Sequence, residues 1–284
     1  MDGKRDTILF KLFGSSVSYM RRCLFRVLSV GPVPNHLAFI LDGNRRYAKK
    51  WNLGEGMGYR AGFLSLMSLI KYCYELGVKY VSIYAFSIDN FRRRPEEVQC
   101  VMDLMLEKIE GLLKEESLVN QYGVRVYFIG NLNLLHEPVR LAAEKAMQAT
   151  SNNNNSILLI CVAYTSTDEI VHAAQESCED KWDAIQSSVN IEDSQDGEEN
   201  DINDVIKLSD IESHMYMRMA PDPDILVRTS GETRLSNFLL WQTSNSLLYS
   251  PKALWPEIGL RHLVWAVLTF QRAHPYLERR RKQP

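Results

Sequence analysis

The chain carries a short run, Asp-Gly-Asn-Arg-Arg at residues 42–46, whose residue types suit the binding of a diphosphate. Gly43 has no side chain and therefore lets backbone N–H groups approach a ligand closely. Arg45 and Arg46 stand at a predicted helix start, whose positive end favours an anion. Asp42 is the predicted ligand of Mg²⁺, which takes one or two carboxylates together with substrate phosphates. Taken alone, the run also fits a helix cap with surface salt bridges.

A second polar segment, residues 89–97, reads Asp-Asn-Phe-Arg-Arg-Arg-Pro-Glu-Glu and also follows an apolar run. It offers an amide, an aromatic ring and three adjacent guanidinium groups. Three neighbouring arginines on a plain surface loop would repel one another, whereas a guanidinium matches phosphate oxygens in bidentate geometry. The segment therefore favours phosphate binding, although Pro95 and the glutamates after it also fit an ordinary helix N-terminus.

In a third segment Arg228 and Arg234 flank Gly231, with hydroxyl side chains nearby and an apolar run before them. Two arginines joined by such a turn suit a second diphosphate without a metal ion. A single arginine does not indicate a phosphate site, so this prediction depends on the spacing of the two arginines around the glycine.

Apolar runs rich in β-branched and aromatic residues alternate with longer segments of helical spacing. This alternation predicts an α/β fold in a single domain, with an open, mostly parallel six-stranded sheet flanked by helices. Ligands of such sheets bind beyond the carboxyl ends of the strands, so the three polar segments are expected to converge on one cleft. The predicted strands are residues 36–41, 80–86, 124–129, 157–164, 225–227 and 246–249, and the predicted helices include 62–76, 96–116 and 138–150.

The composition of the whole chain excludes several classes of function. The formal net charge of -2 gives no bulk electrostatic reason to bind nucleic acid, so any anion site must be local. The five cysteines include no Cys-X-X-Cys pair and the histidines no metal-binding spacing. Neither a zinc site nor a disulfide framework is therefore expected.

Two segments differ in composition from the rest of the chain: residues 1–30, which precede the predicted single domain at 31–284, and an acidic stretch within that domain. Residues 1–30 mix apolar side chains with lysines and arginines and predict an amphipathic helix around 7–29. The arginines argue against a signal peptide, and no apolar stretch reaches the roughly 20 residues of a spanning helix. Contact of this helix with a membrane surface and contact with a partner both stay open. Residues 176–204 carry eleven acidic residues against one lysine, which predicts a mobile insertion at about 176–206.

Three stretches resemble the cis-prenyltransferases: HLAFILDGNRRYAKK at 36–50, YAFSIDNFRRRPEEV at 84–98, and DILVRTSGETRLSNFLLWQ at 224–242, followed by LWPE. The resemblance is strongest to eukaryotic, plant-like members. It implies repeated addition of isopentenyl diphosphate to an allylic diphosphate such as farnesyl diphosphate, with each new double bond cis and with Mg²⁺ as cofactor. The alternatives are a non-catalytic scaffold subunit of the same fold and a phosphatase or phosphotransferase that uses Asp42 as nucleophile.

The resemblance also implies roles for single residues. Asp42 matches the essential aspartate and is the implied metal ligand. Asn90 lies near the reacting carbons, where water held at Asn90 or a substrate phosphate oxygen would take the proton. The allylic diphosphate site is matched by Gly43, Asn44, Arg45, Arg46, Tyr47, Ser87, Phe91 and Arg93. The isopentenyl diphosphate site is matched by Arg228, Arg234 and Ser236.

The sequence departs from many members of that family at four places. Tyr59 stands where a histidine is common, Glu55 where an arginine is common, and Leu247 where bacterial homodimers carry a glutamate ligand. Residues 278–284 lack the Arg-X-Gly element with which homodimeric members complete a neighbour's site. We therefore expect a heteromer with a non-catalytic subunit resembling the Nogo-B receptor. We further expect peripheral attachment to the cytosolic face of the endoplasmic reticulum membrane and a product of dolichol length or longer.

Overall fold

The structure, a computed structural model, describes residues 18–54, 56–114, 117–189 and 205–282. Within these ranges the strands are β1 (His36–Ile40), β2 (Tyr80–Ser87), β3 (Val124–Ile129), β4 (Ser156–Tyr164), β5 (Ile225–Arg228) and β6 (Leu247–Tyr249). The helices are α1 (residues 18–28), α2 (Asn44–Lys50), α3 (Met57–Leu76), α4 (Pro95–Leu112), α5 (Leu118–Tyr122), α6 (Glu137–Ala149), α7 (Ser166–Val189), α8 (Leu208–His214) and α9 (Leu260–Arg281).

The six strands form one sheet in the order β3-β4-β2-β1-β5-β6, and every pair is parallel. The predicted α/β fold with six strands is confirmed, and each predicted strand end lies within one residue of the observed one. Strands β2, β1 and β5 lie side by side. Their carboxyl ends, and the three polar segments that follow them, therefore meet at one edge of the sheet.

Both faces of the sheet are covered, which explains why its strands are almost uniformly apolar. All five residues of β1 are buried. Leu37 and Phe39 belong to a core shared with α3, α4, α6 and α9, whereas Ala38 and Ile40 belong to a second core that contains Phe238. Side chains of a strand alternate between its two faces, so β1 joins both cores and is held rigidly where it reaches Asp42.

Helices α3 and α4 flank the cleft beyond β1 and β2. Helix α3 lies between Gly56 and Gly77, which flank its two ends and both have positive φ. Helix α4 begins with Pro95, whose missing N–H costs nothing in a first turn. The structure extends the predicted 62–76 helix back to Met57, and α4 ends at Leu112 instead of residue 116.

The predicted mobile insertion at about 176–206 is wrong for its first part, because α7 continues to Val189. This helix packs on α8, where Asp180 lies 2.9 Å from Nε2 of His214 and Lys181 lies 3.8 Å from Asp210. The first acidic residues thus belong to a packed helix, which a count of charges does not reveal. Residues 190–204, which hold the other seven of the eleven acidic residues, lie outside the described residues.

Part of the predicted N-terminal helix is described as α1. Phe25 and Leu28 are buried, and Nε of Arg21 donates to Glu75 on α3 over 2.6 Å. This side of α1 therefore packs on the α/β domain, while residues 1–17 lie outside the described residues. Among the helices described, none has the length and apolarity needed to cross a membrane.

Candidate active site

Asp42 follows β1, and its backbone is held by the loop that follows β5. Its N–H donates to Oγ1 of Thr229 over 3.0 Å. Its carbonyl oxygen accepts hydrogen bonds from the hydroxyls of Thr229 and Ser230 over 2.6 and 2.7 Å, and from the N–H of Trp255 over 2.9 Å. The first and third polar segments are therefore joined into one rigid unit.

Gly43 is required by this junction. Its φ is +123°, a conformation that residues with a Cβ rarely adopt. A Cβ there would also lie 2.8 Å from both Oγ of Ser230 and the backbone nitrogen of Trp255. The bare backbone turns here into α2, which carries Arg45 and Arg46 beside the cleft.

The Asp42 carboxylate is surrounded by arginines. Oδ2 accepts a hydrogen bond from Nη2 of Arg228 over 2.8 Å, and Oδ1 accepts one from Nη2 of Arg46 over 3.1 Å. Arg234 lies 4.0 Å away. Burial raises the pKa of Asp42, but the hydrogen bonds and charges of Arg228 and Arg46 outweigh it and leave the pKa below its usual value. Asp42 is therefore ionised at neutral pH.

Arg228 is buried at the end of β5 and oriented by its own loop. Its Nη1 donates to the carbonyl of Arg234 and to Oγ of Ser236, both over 2.6 Å. The loop folds back through residues of positive φ, including Ser230, Gly231 and Ser236. The two arginines and the serine predicted to share an isopentenyl diphosphate site therefore do lie together.

Glu232 was not singled out from the sequence, yet it lies between two of the predicted phosphate ligands. Its Oε2 accepts a hydrogen bond from Nη1 of Arg234 over 2.5 Å, and its Oε1 lies 3.6 Å from Nη1 of Arg46. One carboxylate thus joins an arginine of the first segment to an arginine of the third. Glu232 and Asp42 together offset part of the positive charge of Arg46, Arg228 and Arg234.

Arg93 is held by a second acidic residue, Glu97, one helical turn later. Its Nη1 donates to Oε1 of Glu97 over 3.0 Å and to the hydroxyl of Tyr59 over 3.1 Å. The Tyr59 hydroxyl in turn donates to the same oxygen of Glu97 over 2.9 Å. The other oxygen of Glu97, Oε2, lies 3.6 Å from Nη1 of Arg45. Burial raises the pKa of Tyr59 and the charge of Arg93 offsets only part of this, so Tyr59 remains a neutral hydrogen-bond donor.

The remaining predicted residues divide into two groups. Asn44, Ser87 and Asn90 line the cleft, and Oγ of Ser87 also accepts the N–H of Asp89 and so caps the short 3₁₀ turn at Ile88–Arg92. Tyr47 and Phe91 are not among the described residues that line the cleft. The Tyr47 ring lies beside Trp51, and the Phe91 ring packs edge-on against Phe86 at 4.9 Å between ring centroids. For these two, a supporting role fits better than direct substrate contact.

The polar cleft opens into an apolar tunnel, and together they form one cavity of about 1030 Å³. Beyond the arginines the cavity runs between α3 and α4 and over the sheet. Its apolar lining includes Phe63, Leu66, Met67, Val101, Leu104, Met105, Ile109, Leu112, Phe128, Leu158 and Ile160. The site can therefore hold an anionic head group at one end and a long hydrocarbon chain behind it.

The donor set at Asp42 fits one hard divalent cation. In the parts of the chain that the structure describes, no three acidic, histidine or cysteine side chains come together as a preformed metal cage. Mg²⁺ does not need one, because it commonly binds through one or two carboxylates, water and substrate phosphates. The side chain of Asp42 is 25% exposed and faces the cavity, so it is available as such a carboxylate once a diphosphate engages Arg46 and Arg228.

Glu97 is predicted from the sequence only as part of a helix N-terminus, and Trp255 is a large aromatic side chain of the kind that usually packs in a core. A signal for Glu97 was its position four residues after Arg93, the spacing of an ion pair on one helical face. Trp255 is indeed buried, and its indole N–H donates to the carbonyl of Gly62. Glu55 lies outside the described residues.

Comparison with known proteins assigns the chain to a family. Residues 40–278 match the prenyltransferase family described as "Putative undecaprenyl diphosphate synthase". Dehydrodolichyl diphosphate synthase 6 of Arabidopsis thaliana is 62% identical over 99% of this chain and 96% of its own length. A rubber cis-polyprenyltransferase of Hevea brasiliensis is 56% identical over 99% of this chain and 98% of its own.

Two more distant matches are also named as diphosphate synthases. The dehydrodolichyl diphosphate synthase complex subunit of Homo sapiens is 39% identical over 93% of this chain and 75% of its own length. Among solved structures, lavandulyl diphosphate synthase from Lavandula x intermedia, in complex with dimethylallyl diphosphate, superposes with a TM-score of 0.70 at 28% identity. That match covers 84% of this chain and 95% of the other.

Proposed function

The chain belongs to the cis-prenyltransferase family, and we propose that it is the catalytic subunit that condenses isopentenyl diphosphate repeatedly onto an allylic diphosphate, farnesyl diphosphate in the first instance. The product is a long-chain cis-polyprenyl diphosphate. One observation carries the proposal: two sets of arginines meet at Asp42, at the mouth of a single apolar tunnel. Two diphosphates and one growing hydrocarbon chain account for both halves of this cavity.

Each half of the cavity binds one substrate. Arg45, Arg46 and Arg93 hold the allylic diphosphate, while its hydrocarbon tail lies in the tunnel. Arg228 and Arg234, with Ser236, hold isopentenyl diphosphate. Because β1 and β5 are adjacent strands, the two substrates lie side by side, which converts their encounter into an effectively intramolecular step.

Each cycle of the reaction forms one new carbon–carbon bond. The allylic C–O bond breaks and its electron pair leaves with the diphosphate, whose charge the preorganised arginines stabilise. The double bond of isopentenyl diphosphate attacks the allylic carbon, and a proton is lost to form the new double bond. That proton passes to water held at Asn90 or to a diphosphate oxygen. Asp42 would hold Mg²⁺ at this point, and the ion would supply further neutralisation of the leaving group.

We propose that the active form is a heteromer with a non-catalytic subunit resembling the Nogo-B receptor, bound at the cytosolic face of the endoplasmic reticulum membrane. The human relative, named as a subunit of a complex, supports a partner. The apolar product supports attachment to a membrane. The exposed residues of α1 include Tyr19, Arg22, Arg26 and Val27, a composition that suits either a partner or an anionic lipid surface.

The direct test is an assay with and without that partner. The chain is incubated with farnesyl diphosphate, labelled isopentenyl diphosphate and Mg²⁺, and the extracted products are sized. We expect long polyprenyl diphosphate only with the partner. Full specific activity of the chain alone would refute the heteromer, and absence of polymer under both conditions would refute the enzyme. Phosphate release without chain growth would favour a phosphatase instead.

A further inference from the structure

Ser236 differs from the other residues of the proposed isopentenyl diphosphate site, because it orients a buried arginine although it is itself exposed. Its Oγ accepts the 2.6 Å hydrogen bond from Nη1 of Arg228. Its φ is +50°, and Asn237 follows with a φ of +57°, so two consecutive residues with side chains adopt the left-handed conformation. This conformation is unfavourable for most residues and persists only where the surrounding structure holds it.

The structure that holds it is the first turn of α7, which Asn237 caps from outside the helix. N–H groups at the start of a helix have no partner within it. Oδ1 of Asn237 accepts both the N–H and the hydroxyl of Thr167 over 3.1 Å, and its carbonyl oxygen accepts the N–H of Ser166 over 2.8 Å. Oγ of Ser166 in turn accepts the N–H of Leu240 over 2.9 Å. Four hydrogen bonds therefore join the first two residues of α7 to the loop at 237–240.

A buried aromatic cluster holds the next residue of the loop, Phe238. Its ring is fully buried and stacks on the ring of Tyr84 with 4.4 Å between centroids, and Tyr164 packs edge-on against it at 5.9 Å. Apolar packing fixes where the loop lies but has no preferred direction, whereas the hydrogen bonds of Asn237 to α7 are directional. The direction in which the side chain of Ser236 points therefore follows from the contacts of Asn237.

We propose that Asn237 is a positioning residue of the isopentenyl diphosphate site, which acts by fixing the backbone of Ser236 and, through Ser236, the guanidinium of Arg228. The inference rests on the function proposed above. Asparagine suits this place for two reasons. Its side chain accepts hydrogen bonds at a helix start, and it enters the left-handed region more readily than most residues.

The arginines of the proposed allylic site have different anchors. Arg45 and Arg93 pair with Glu97 on α4, with 3.6 and 3.0 Å between the charged atoms. Helix α4 comes after β2, whereas the loop of Asn237 comes after β5. A defect at Asn237 should therefore weaken the binding of isopentenyl diphosphate and leave the allylic substrate almost unaffected.

Three substitutions separate the side chain of Asn237 from its backbone conformation. Asn237→Ala removes the cap and disfavours the positive φ, Asn237→Gly removes the cap alone, and Asn237→Asp keeps an accepting oxygen at the positive end of α7. Asn52→Ala is the matched control, because Asn52 has a φ of +48° in an exposed turn and is not among the described residues that line the cavity. Each variant is assayed with the partner preparation that supports the wild type, and KM for both substrates is measured after thermal melting has confirmed folding.

Asn237→Ala and Asn237→Gly should each raise KM for isopentenyl diphosphate about tenfold, the effect of one or two lost hydrogen bonds, and leave KM for the allylic substrate within about twofold. Asn237→Asp and Asn52→Ala should keep both KM values within about twofold of the wild type. A wild-type KM from Asn237→Gly, or an equal rise in both KM values, would overturn the positioning role. So would an Asn237→Asp enzyme as impaired as Asn237→Ala, or an Asn52→Ala enzyme with the same defect.

If Asn237→Ala does not fold, Thr167→Val takes its place. It removes only the hydroxyl that donates to Oδ1 of Asn237 and should raise KM for isopentenyl diphosphate about threefold, and an unchanged KM would overturn the proposal. A wild type that makes no polymer would refute the proposed function itself. Wild-type polymer together with unchanged KM values in every variant would refute only the role of Asn237.

Discussion

Replacement of Gly43 by alanine perturbs the junction on which both diphosphate sites depend. Gly43 has a φ of +123°, and an added Cβ would lie 2.8 Å from the backbone nitrogen of Trp255. A backbone atom held by its own hydrogen bond to Asp42 cannot simply turn aside. The chain at Asp42 must therefore move.

Two free-energy costs, backbone strain and overpacking, add at this position. A residue with a Cβ held at such a φ costs about 1–3 kcal/mol, and overpacking costs about 1–3 kcal/mol more. Gly43→Ala should therefore lower the free energy of unfolding by at least about 2 kcal/mol, which corresponds to a fall in Tm of roughly 4 °C or more. A 1 Å displacement of Asp42 should further reduce kcat/KM by about 100-fold.

The control is Gly111→Ala on α4, where an added Cβ would meet nothing within 4 Å. Alanine inside a helix should there raise stability by about 0.5–1 kcal/mol. Both variants are compared by calorimetry and by steady-state kinetics with the partner present. A Gly43→Ala enzyme with wild-type Tm and kcat/KM would refute the geometric argument for this junction.

Three further predictions concern the charged residues of the site. Tyr59→Phe removes a hydroxyl that is hydrogen-bonded to both Arg93 and Glu97. It should raise KM for the allylic substrate about tenfold, which corresponds to about 1.4 kcal/mol, without changing KM for isopentenyl diphosphate. Equal changes in both KM values would contradict the assignment of Arg93 to the allylic site. Asp42→Asn should lower kcat by roughly 100-fold to 1000-fold in single-turnover assays, and a loss confined to KM would contradict a role in stabilising the leaving group. Because the pKa of Asp42 is lowered by folding, its ionisation stabilises the protein above its unfolded pKa and loses that effect as pH falls through the folded pKa. The stability difference between wild type and Asp42→Asn in denaturant titrations should therefore be constant above about pH 5 and shrink in acid, and a difference that grew in acid would have the wrong sign.

The fold was largely predictable from the sequence because its strands are buried on both faces. Continuous apolar runs such as residues 157–164 are bounded by polar residues, so their limits are marked in the sequence itself. The polar segments after β1, β2 and β5 were likewise predictable as neighbours, since carboxyl ends of parallel strands share one edge. The order of the strands, which places β1 in the middle, was not.

What the sequence did not reveal depends on side-chain partners. Glu97 and Glu232 look like ordinary surface acids until the fold places them against arginines from other segments. The α7 extension was misinterpreted because the acidic composition of residues 176–189 conceals a helix held against α8. Tyr47 and Phe91 lie within matching motifs, yet their rings pack beside Trp51 and Phe86.

The central claim is that both diphosphate sites, joined at Asp42, act on one growing chain. It is tested most directly by supplying farnesyl diphosphate, carbon-labelled isopentenyl diphosphate, Mg²⁺ and the partner, and by determining the geometry of each new double bond by NMR. We expect long polyprenyl diphosphate whose added units are all cis, and no polymer from Asp42→Asn. Trans units, or equal polymer from Asp42→Asn, would contradict it.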